Sequence, residues 1–310
     1  MPREEVPLRL RPEFYFDLEA HPFAHADILA AAHDVVEVVG RIHGYAESWL
    51  ENSWRVAQDA WCLRQAPAGV KTVGCTPPVY VEGVEDTDAA IFAPDILIGR
   101  LGGADSCASA APGLQVAQGA RVLGGTFDLR GGGIFLGSGC LVEPGAHIAG
   151  PAIIGRRTVL RCGAYIRGDV VVGDDVVLRG ELKNAVVMDG AELCHPGYAG
   201  DSLIGHRGHF GCQAVTANLG LFGGELSVEA PGQVRTHLEL GRRKLGIVLG
   251  DSSQLGCSAV TDPGTFLGPR THVYPLARLD AGFYGPDEIV KNKPKVSGVL
   301  FRESLRQPRA

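Results

Sequence analysis

The sequence predicts a mainly β protein, a left-handed parallel β-helix with a small helical N-terminal region, and two observations predict it. Every sixth residue from Leu136 is aliphatic: Leu136, Val142, Ile148, Ile154, Leu160, Ile166, Val172 and Leu178. A helix returns to one face every 3.6 residues and a strand every 2, so a period of six fits neither alone. It fits a coil of three short flat sides, each side advancing six residues and eighteen closing a turn. Gly137, Gly155 and Gly173 recur at that step, where a corner needs a residue that turns without a Cβ clash. Successive turns then stack as parallel strands about 4.8 Å apart, and a hexapeptide period is a recognised sign of such solenoids.

The remaining elements follow in chain order. Ile28, Ala32, Val35, Val39, Ile42, Tyr45 and Trp49 fall at helical spacing and predict one or two amphipathic helices between Ala24 and Trp61, with Gly44 and Asn52 as weak points or ends. Residues 1–75 therefore form the helical N-terminal region. Residues 76–133 read as a connector with irregular first coils, including short strands at Val79–Val81 and Ile96–Ile98. The β-helix proper is expected over 134–280, and 281–310 as a C-terminal tail. Within the β-helix the register returns at Ile204, Phe210, Leu249, Leu255, Leu267 and Val273, with Thr261 in an aliphatic place. Residues 217–245 break it, as a loop thrown out from a corner would, and such loops tend to carry function. Three cations, Arg242, Arg243 and Lys244, close that stretch.

Composition bounds the chemistry. With 45% hydrophobic residues in 310 a sizeable core can form, while 7% aromatics and 43 glycines favour aliphatic layers and many turns. A formal net charge of −6 argues against a general nucleic-acid binder, and the mildly basic stretch Lys291–Arg309 reads as a solvated tail. The eight cysteines (Cys62, Cys75, Cys107, Cys140, Cys162, Cys194, Cys212, Cys257) show no CxxC spacing, which suits free thiols in a reducing cytoplasm over a zinc site. The N-terminus lacks the apolar core of a signal peptide, and no window of about 18 apolar residues spans a membrane.

The chemistry concentrates in Lys183–Asn218. The motif H-x-x-Y-x-G-D-[SA]-x-I-G runs from His195 to Gly205, with Lys183 twelve residues upstream, Asn218 after the next coil and GRRKLG at Gly241–Gly246. On these residues the chain resembles the acetyltransferase domain of sugar-1-phosphate N-acetyltransferases, best known from bifunctional glucosamine-1-phosphate acetyltransferase/uridylyltransferases. The resemblance covers about Phe135–Tyr274. It implies acetyl transfer from acetyl-CoA, the acyl-donor substrate, to an amino-sugar phosphate of the glucosamine-1-phosphate or galactosamine-1-phosphate type, or a related sugar amine. It implies a cytoplasmic homotrimer that needs no metal, with no nucleic-acid or membrane partner.

The resemblance also implies roles. His195 matches the general base, a task suited to a group that accepts a proton near neutral pH. Asn218 matches the donor to the tetrahedral intermediate. Lys183, Tyr198, Arg167 and His209 fall on the sugar-phosphate side, and Cys212, Lys244 and Cys257 on the coenzyme side. Neighbouring side chains on a strand face opposite ways, so a site-facing His195 leaves Cys194 buried inside the coil. His206 and His209 lack a third ligand and read as structural or solvent-facing. The chain departs from the pattern at His209 and Cys212, where many relatives have asparagine and alanine, and at Leu219, which replaces an aromatic. It also lacks the Gly-rich nucleotide loop of the uridylyltransferases, so that second activity is expected to be absent. Two other readings are a non-catalytic trimeric sugar-nucleotide-binding or scaffold protein and, from Arg167-Gly168-Asp169, a metal enzyme of the γ-carbonic anhydrase kind, whose histidine triad is not evident.

Overall fold

The computed structural model describes residues 6–60, 62–64, 71–73, 79–81, 91–92, 96–99, 113–230, 236–292 and 300–304. It divides into two compact units, residues 42–184 and residues 1–41 with 185–310.

In the unit 42–184, short strands recur along three sides of a parallel β-solenoid. Ile134–Leu136, Ala152–Ile154 and Val170–Val172 stack on one side. His147–Ala149, Tyr165–Arg167 and the start of Glu181–Val187 stack on the second. Leu141–Val142, Val159–Leu160 and Val177–Leu178 stack on the third. All eight residues of the six-residue series are fully buried. Each such side chain contributes about 1.5–3 kcal/mol by leaving water, so the axial aliphatic column is the main source of stability. Parallel pairing also reaches upstream, through Leu114–Val116 to Val79–Val81 and through Gly125–Asp128 to Ile96–Gly99. Lys71–Val73 pairs in parallel with Ile96–Gly99, and Cys62–Arg64 runs antiparallel to Val79–Val81.

The recurrent glycines do a different task from the one their spacing suggests. Gly137 and Gly155 have ordinary φ, but a Cβ on Gly137 would lie 2.7 Å from the carbonyl carbon of Gly155, and one on Gly155 would lie 2.2 Å from the carbonyl oxygen of Gly173. They are there because coil stacks on coil with no room for a side chain. The turning is done two residues later, where Arg157 and Asp175 hold φ of 55° and 57°. That left-handed conformation costs a non-glycine residue about 1–2 kcal/mol. Arg157 and Asp175 pair at 2.5 Å, but both are more than half exposed, so the ion pair offsets little of that cost. A better-placed stitch is the buried Thr158 hydroxyl, which donates to Gly173 O at 2.9 Å and accepts from Val176 N at 3.2 Å.

The unit of 1–41 and 185–310 repeats the solenoid plan. Ile247–Leu249, Thr265–Leu267 and Gly282–Tyr284 stack on one side, with Leu203 and Ile204 before them. His209–Phe210, Gln254–Leu255, His272–Val273 and Glu288–Asn292 stack on the second. Val215–Thr216, Val260–Thr261 and Arg278–Leu279 form the third. The segment expected as a tail thus contributes strands, and Leu300–Ser304 returns antiparallel on Glu288–Asn292. Ile204, Leu249, Leu255, Thr261 and Leu267 are fully buried, with Phe210 and Val273 nearly so.

The helical region is mostly one helix. Short α1 (Pro12–Tyr15) and α2 (Asp27–Ala30) precede α3 (Val35–Ala60), which runs through Gly44 and Asn52 without ending. Asp34 caps α3 by accepting from Glu37 N at 2.7 Å, while Glu37 reaches back to His33 N at 2.7 Å, a reciprocal box at the N-terminus. The stretch before α3 is fastened to the solenoid by Asp251, whose Oδ2 accepts from Asp17 N at 2.8 Å, and by Asp251 N, which donates to Tyr15 O at 3.0 Å. Within 42–184, His43 Nδ1 lies 2.6 Å from Asp169 Oδ1 and Nε2 lies 3.1 Å from Glu47 Oε2, while Trp49 meets Phe135 edge-on.

Two outcomes follow from this packing. The buried Thr261 hydroxyl has no hydrogen-bond partner among the described residues, yet it occupies an aliphatic place in the column. Removing an unpaired buried hydroxyl relieves its desolvation cost, so Thr261→Val should raise unfolding stability by about 1 kcal/mol in a urea titration. His43 has its pKa raised, chiefly by the hydrogen bond to Asp169. Its contribution is therefore fully present below the unfolded value of about 6.5 and lost as pH rises through the folded one. Melts from pH 5.5 to 8.5 should show the wild type losing its advantage over His43→Gln as pH rises, and a constant gap would contradict this.

Candidate active site

The motif residues sit at corners and strand starts of the unit containing 185–310. Tyr198 begins the strand Tyr198–Ile204, with Tyr198 N donating to Ala214 O at 3.1 Å in the next coil. Two residues on, Gly200 is required by close approach: a Cβ there would lie 2.2 Å from Tyr198 Oη and 2.8 Å from Asn218 Nδ2. The phenol and the amide therefore converge above the Gly200 backbone. Asn218 Nδ2 donates to Asp201 Oδ2 at 2.5 Å, and Asp201 is nearly buried with φ of 49°. Asp201 O in turn accepts from Gly246 N at 2.8 Å, and the Ser202 hydroxyl donates to Gly200 O at 2.8 Å and accepts from Ile247 N at 3.1 Å. A strained aspartate thus joins the two ends of the excursion and holds the asparagine in one orientation.

Strand register places three more of the sequence-predicted residues together. Glu192 aligns with His209 and Tyr198 with Val215, a step of 17 residues that sets His195 against Cys212. His209 aligns with Gln254 and Val215 with Val260, a step of 45 that sets Cys212 against Cys257. Backbone bonds follow the same register, Gln213 N to Pro196 O at 2.6 Å and Ser258 N to Cys212 O at 2.8 Å. His195, Cys212 and Cys257 are therefore one corner column, exposed, half-buried and exposed respectively. His209 lies on the preceding side, its Nδ1 3.3 Å from Glu192 Oε2. Lys244 is exposed and bridges back to Leu219, with Leu245 N donating to Asn218 O at 3.0 Å. Leu219, Gly241, Arg242, Arg243 and Lys244 line an open cavity of about 540 Å³.

Arg167 and Lys183 belong to the unit 42–184. There Arg167 is exposed, pairs with Glu181 at 2.6 Å and lies over the Tyr165 ring, while Lys183 is half-buried on the strand Glu181–Val187. The side-chain alternation argument fails for Cys194. The strand ends at Leu193, so Cys194 already belongs to the turn and is half-buried, where a fully buried thiol was expected. Among the cysteines whose side chains are described, burial silences Cys140, pushed up to about 12. Among the described residues no group of three or more His, Cys, Asp or Glu side chains is arranged to hold a metal ion. No described helix is long and apolar enough to cross a membrane.

Two features escaped the sequence reading. Asp201 was visible inside the motif, but its positive φ and its bond to Asn218 have no sequence signal. The other is a polar cluster where the N-terminal stretch meets the solenoid. His21 stacks on His206 at 4.0 Å, and His206 N donates to Asp251 Oδ1 at 2.8 Å. Burial, reinforced by the His21 charge, lowers the His206 pKa, and burial raises that of Asp251. His206 thus packs on His21 beside Asp251, where the sequence left a structural or solvent-facing role open.

Comparison with known proteins adds the family context. The bacterial transferase hexapeptide model (six repeats) matches residues 133–168, and with the parallel stacking above it marks the solenoid as a left-handed β-helix. A bifunctional sugar-1-phosphate nucleotidylyltransferase/acetyltransferase of Sulfurisphaera tokodaii is 32% identical over 105 residues, 33% of this chain and 25% of the relative. The bifunctional protein GlmU of Methanococcus maripaludis is 28% identical over 121 residues, 37% of this chain and 28% of the relative. An uncharacterized acetyltransferase, YaiX, of Escherichia coli is 29% identical over 127 residues, 41% of this chain and 49% of the relative. The chain spans about a quarter of the length of the first two.

The Asp201–Asn218 bond gives a direct check on how the site is held. Asn218→Asp would set a second carboxylate 2.5 Å from the first. Loss of a bond to a charged group costs roughly 1.5–3 kcal/mol, with repulsion added. The variant should melt lower than wild type at pH 7 and recover part of the loss near pH 4, where one carboxyl takes a proton. A melt equal to wild type at pH 7 would show that this bond does not fix the excursion.

Proposed function

We propose that the chain is an acetyl-CoA-dependent N-acetyltransferase acting on an amino-sugar phosphate, of the glucosamine-1-phosphate or galactosamine-1-phosphate type, or on a related sugar amine. The observation that carries this reading is the convergence of Tyr198 Oη and Asn218 Nδ2 above Gly200, with Asp201 holding the amide. The homology to a sugar-1-phosphate acetyltransferase gives it a substrate class.

In this reading the sugar amine attacks the thioester carbonyl directly. His195, exposed at its corner, takes the proton released as the new C–N bond forms. An amide nitrogen has two hydrogens. Asp201 accepts one from Asn218, which leaves the other to stabilise the tetrahedral oxyanion before the coenzyme thiolate departs. Tyr198 and His209 bind the phosphorylated sugar, a role that the resemblance also gives to Lys183 and Arg167. Lys244, on the open cationic cavity, takes a coenzyme phosphate, and the Cys212 and Cys257 corners line the path of the pantetheine arm. The protein works as a cytoplasmic homotrimer, and no metal takes part.

Released thiol, measured with acetyl-CoA and a panel of sugar amines headed by the two sugar-1-phosphates, tests the activity. His195→Ala should fold as wild type, since an exposed corner residue holds no core together, and lose roughly 10²–10⁴ in kcat. The loss should be partly recovered at higher pH, where more of the amine arrives neutral. Lys183→Ala should act mainly on KM for a phosphorylated acceptor. Wild-type turnover in His195→Ala would remove the assigned base, and no acetylation of any sugar amine would leave a non-catalytic scaffold as the better reading.

A further inference from the structure

The excursion between Thr216 and Ile247 carries, near its first foot, an apolar tip that solvent does not suit. Leu221 and Phe222 are 92% and 97% exposed and sit side by side. Single exposed apolar residues are ordinary, but this pair is held out by a built scaffold. Gly223 N closes a turn on Gly220 O at 3.0 Å, and Gly223 and Gly224 both adopt positive φ, 70° and 91°. The feet are tied by Leu226 N to Arg242 O at 2.8 Å, Leu240 N to Leu226 O at 2.9 Å and the antiparallel pair Ser227–Glu229 with His237–Glu239. The exposed Arg243 guanidinium lies 3.7 Å from where a Gly223 Cβ would be, so a cation stands at the base of the apolar tip.

The same unit carries the complementary shape. A cleft of about 610 Å³ is walled by Phe14, Phe16, Leu18 and Pro269, and the exposed Glu13, Asp17 and Glu19 stand along it, while the cation that also lines it, Arg270, is paired with Asp287. The cleft lies by the Asp251 and Pro269 corner, while the tip springs from a different corner, the one that follows Thr216. With the tip almost fully in solvent, it is not seated in its own cleft.

We infer that the Leu221–Phe222 tip, with Arg243 at its base, docks into the Phe14–Leu18 cleft of a second copy of this chain. A convex apolar tip with a cationic base meets an apolar cleft with an acidic margin, so shape and charge agree. The two patches differ, so the contact is head-to-tail, and it closes into a ring of three when each copy is turned by a third of a circle from the last. This names the surfaces of the homotrimer proposed above, takes only the number of copies from that proposal, and stands apart from the acyl-transfer reading. An anionic lipid surface is the weaker partner: two apolar residues bury little, and a chain of net charge −6 with an acidic cleft is repelled by it.

The test uses the full chain. Light scattering at micromolar concentration should give three chain masses for wild type. Leu221→Ser with Phe222→Ser, and separately Arg243→Glu, should each weaken association tenfold or more. Adding Glu13→Arg and Glu19→Arg to Arg243→Glu should restore it. A benzophenone side chain at position 222, irradiated in a mixture of unlabelled and ¹⁵N-labelled protein, should crosslink to residues 12–19 or 269–270 of the other isotopic copy. A monomeric wild type, crosslinks to any other segment, no rescue by the paired reversal, or capture of the tip by phosphatidylserine vesicles without change of mass would each overturn the interface. None of these readouts depends on turnover, so failure here and failure of acetyl transfer are separable.

Discussion

Each unit of this protein hangs on coil stacking in register, with inward side chains from its short sides, nearly all aliphatic, entering that unit's own axial column. The hydrogen bonds that carry the stack are backbone bonds from each coil to the next, such as Gly137 N to Ile154 O at 2.8 Å and Gly155 N to Val172 O at 2.9 Å. Backbone donors and acceptors are the same whatever the side chain, so the outward positions are free of structural duty. In a solenoid each repeat touches only its neighbours. Insertions at a corner therefore cost the column nothing so long as the chain comes back in register. Leu203 and Ile204 pair with Val248 and Leu249 across a step of 45 residues, where 18 separate the same places in Ile153 and Val171. The added length is the excursion that carries Asn218 at one foot and Lys244 at the other.

This explains which parts of the fold can be read from sequence. The column is legible because burial repeats: Leu136, Ile154 and Val172 have no freedom to vary in polarity. Legibility lapses after Leu178, and the cause is geometric. The step between coils falls to 16 residues at Tyr165 and Glu181, and to 17 at Glu192 and His209, so counting by six loses phase although Leu182 and Leu193 still point inward. The glycines at 137, 155 and 173 were found by their spacing, but the reason for Gly137 and Gly155 is close approach between coils, and the positive φ lies elsewhere. The continuity of α3 through Gly44 and Asn52 likewise comes from what it packs on. Trp49 against Phe135 and His43 against Asp169 are contacts that no local propensity encodes.

The candidate site shows the same division. His195, Tyr198 and Asn218 were legible because their spacing forms a motif, whereas the reason for Gly200 and Asp201 appears only when coils are stacked. Asp201 keeps a left-handed backbone because three groups over-determine it: the Asn218 amide on its carboxylate, Gly246 N donating to its backbone carbonyl, and the buried Ser202 stitch beside it. Strain that is held by several partners at once is typical of sites that need fixed geometry. Register places His209 and Cys212 in one coil, adjacent to the coil bearing His195.

Rigidity and exposure are in tension at such a site, and the solenoid resolves it by separating them. In the proposed reading His195 and Lys244 must be held to fractions of an ångström, yet His195 is exposed on a corner and Lys244 is exposed on a loop. Neither is braced by burial of its own side chain. His195 is braced by its place in the column, since the strands on either side of its corner, Glu192–Leu193 and Tyr198–Ile204, are both pinned to the next coil. Lys244 is braced by the bridge to Leu219 and by Leu245 N on Asn218 O, which returns the end of the excursion to its beginning. In that reading the aliphatic core acts on the chemistry through the backbone: buried, register-paired residues such as Leu255 and Ile204 set the spacing of the corner side chains. Substitutions that shift the column by a fraction of a coil step would be felt first as misplacement at the corner, before the fold itself is lost.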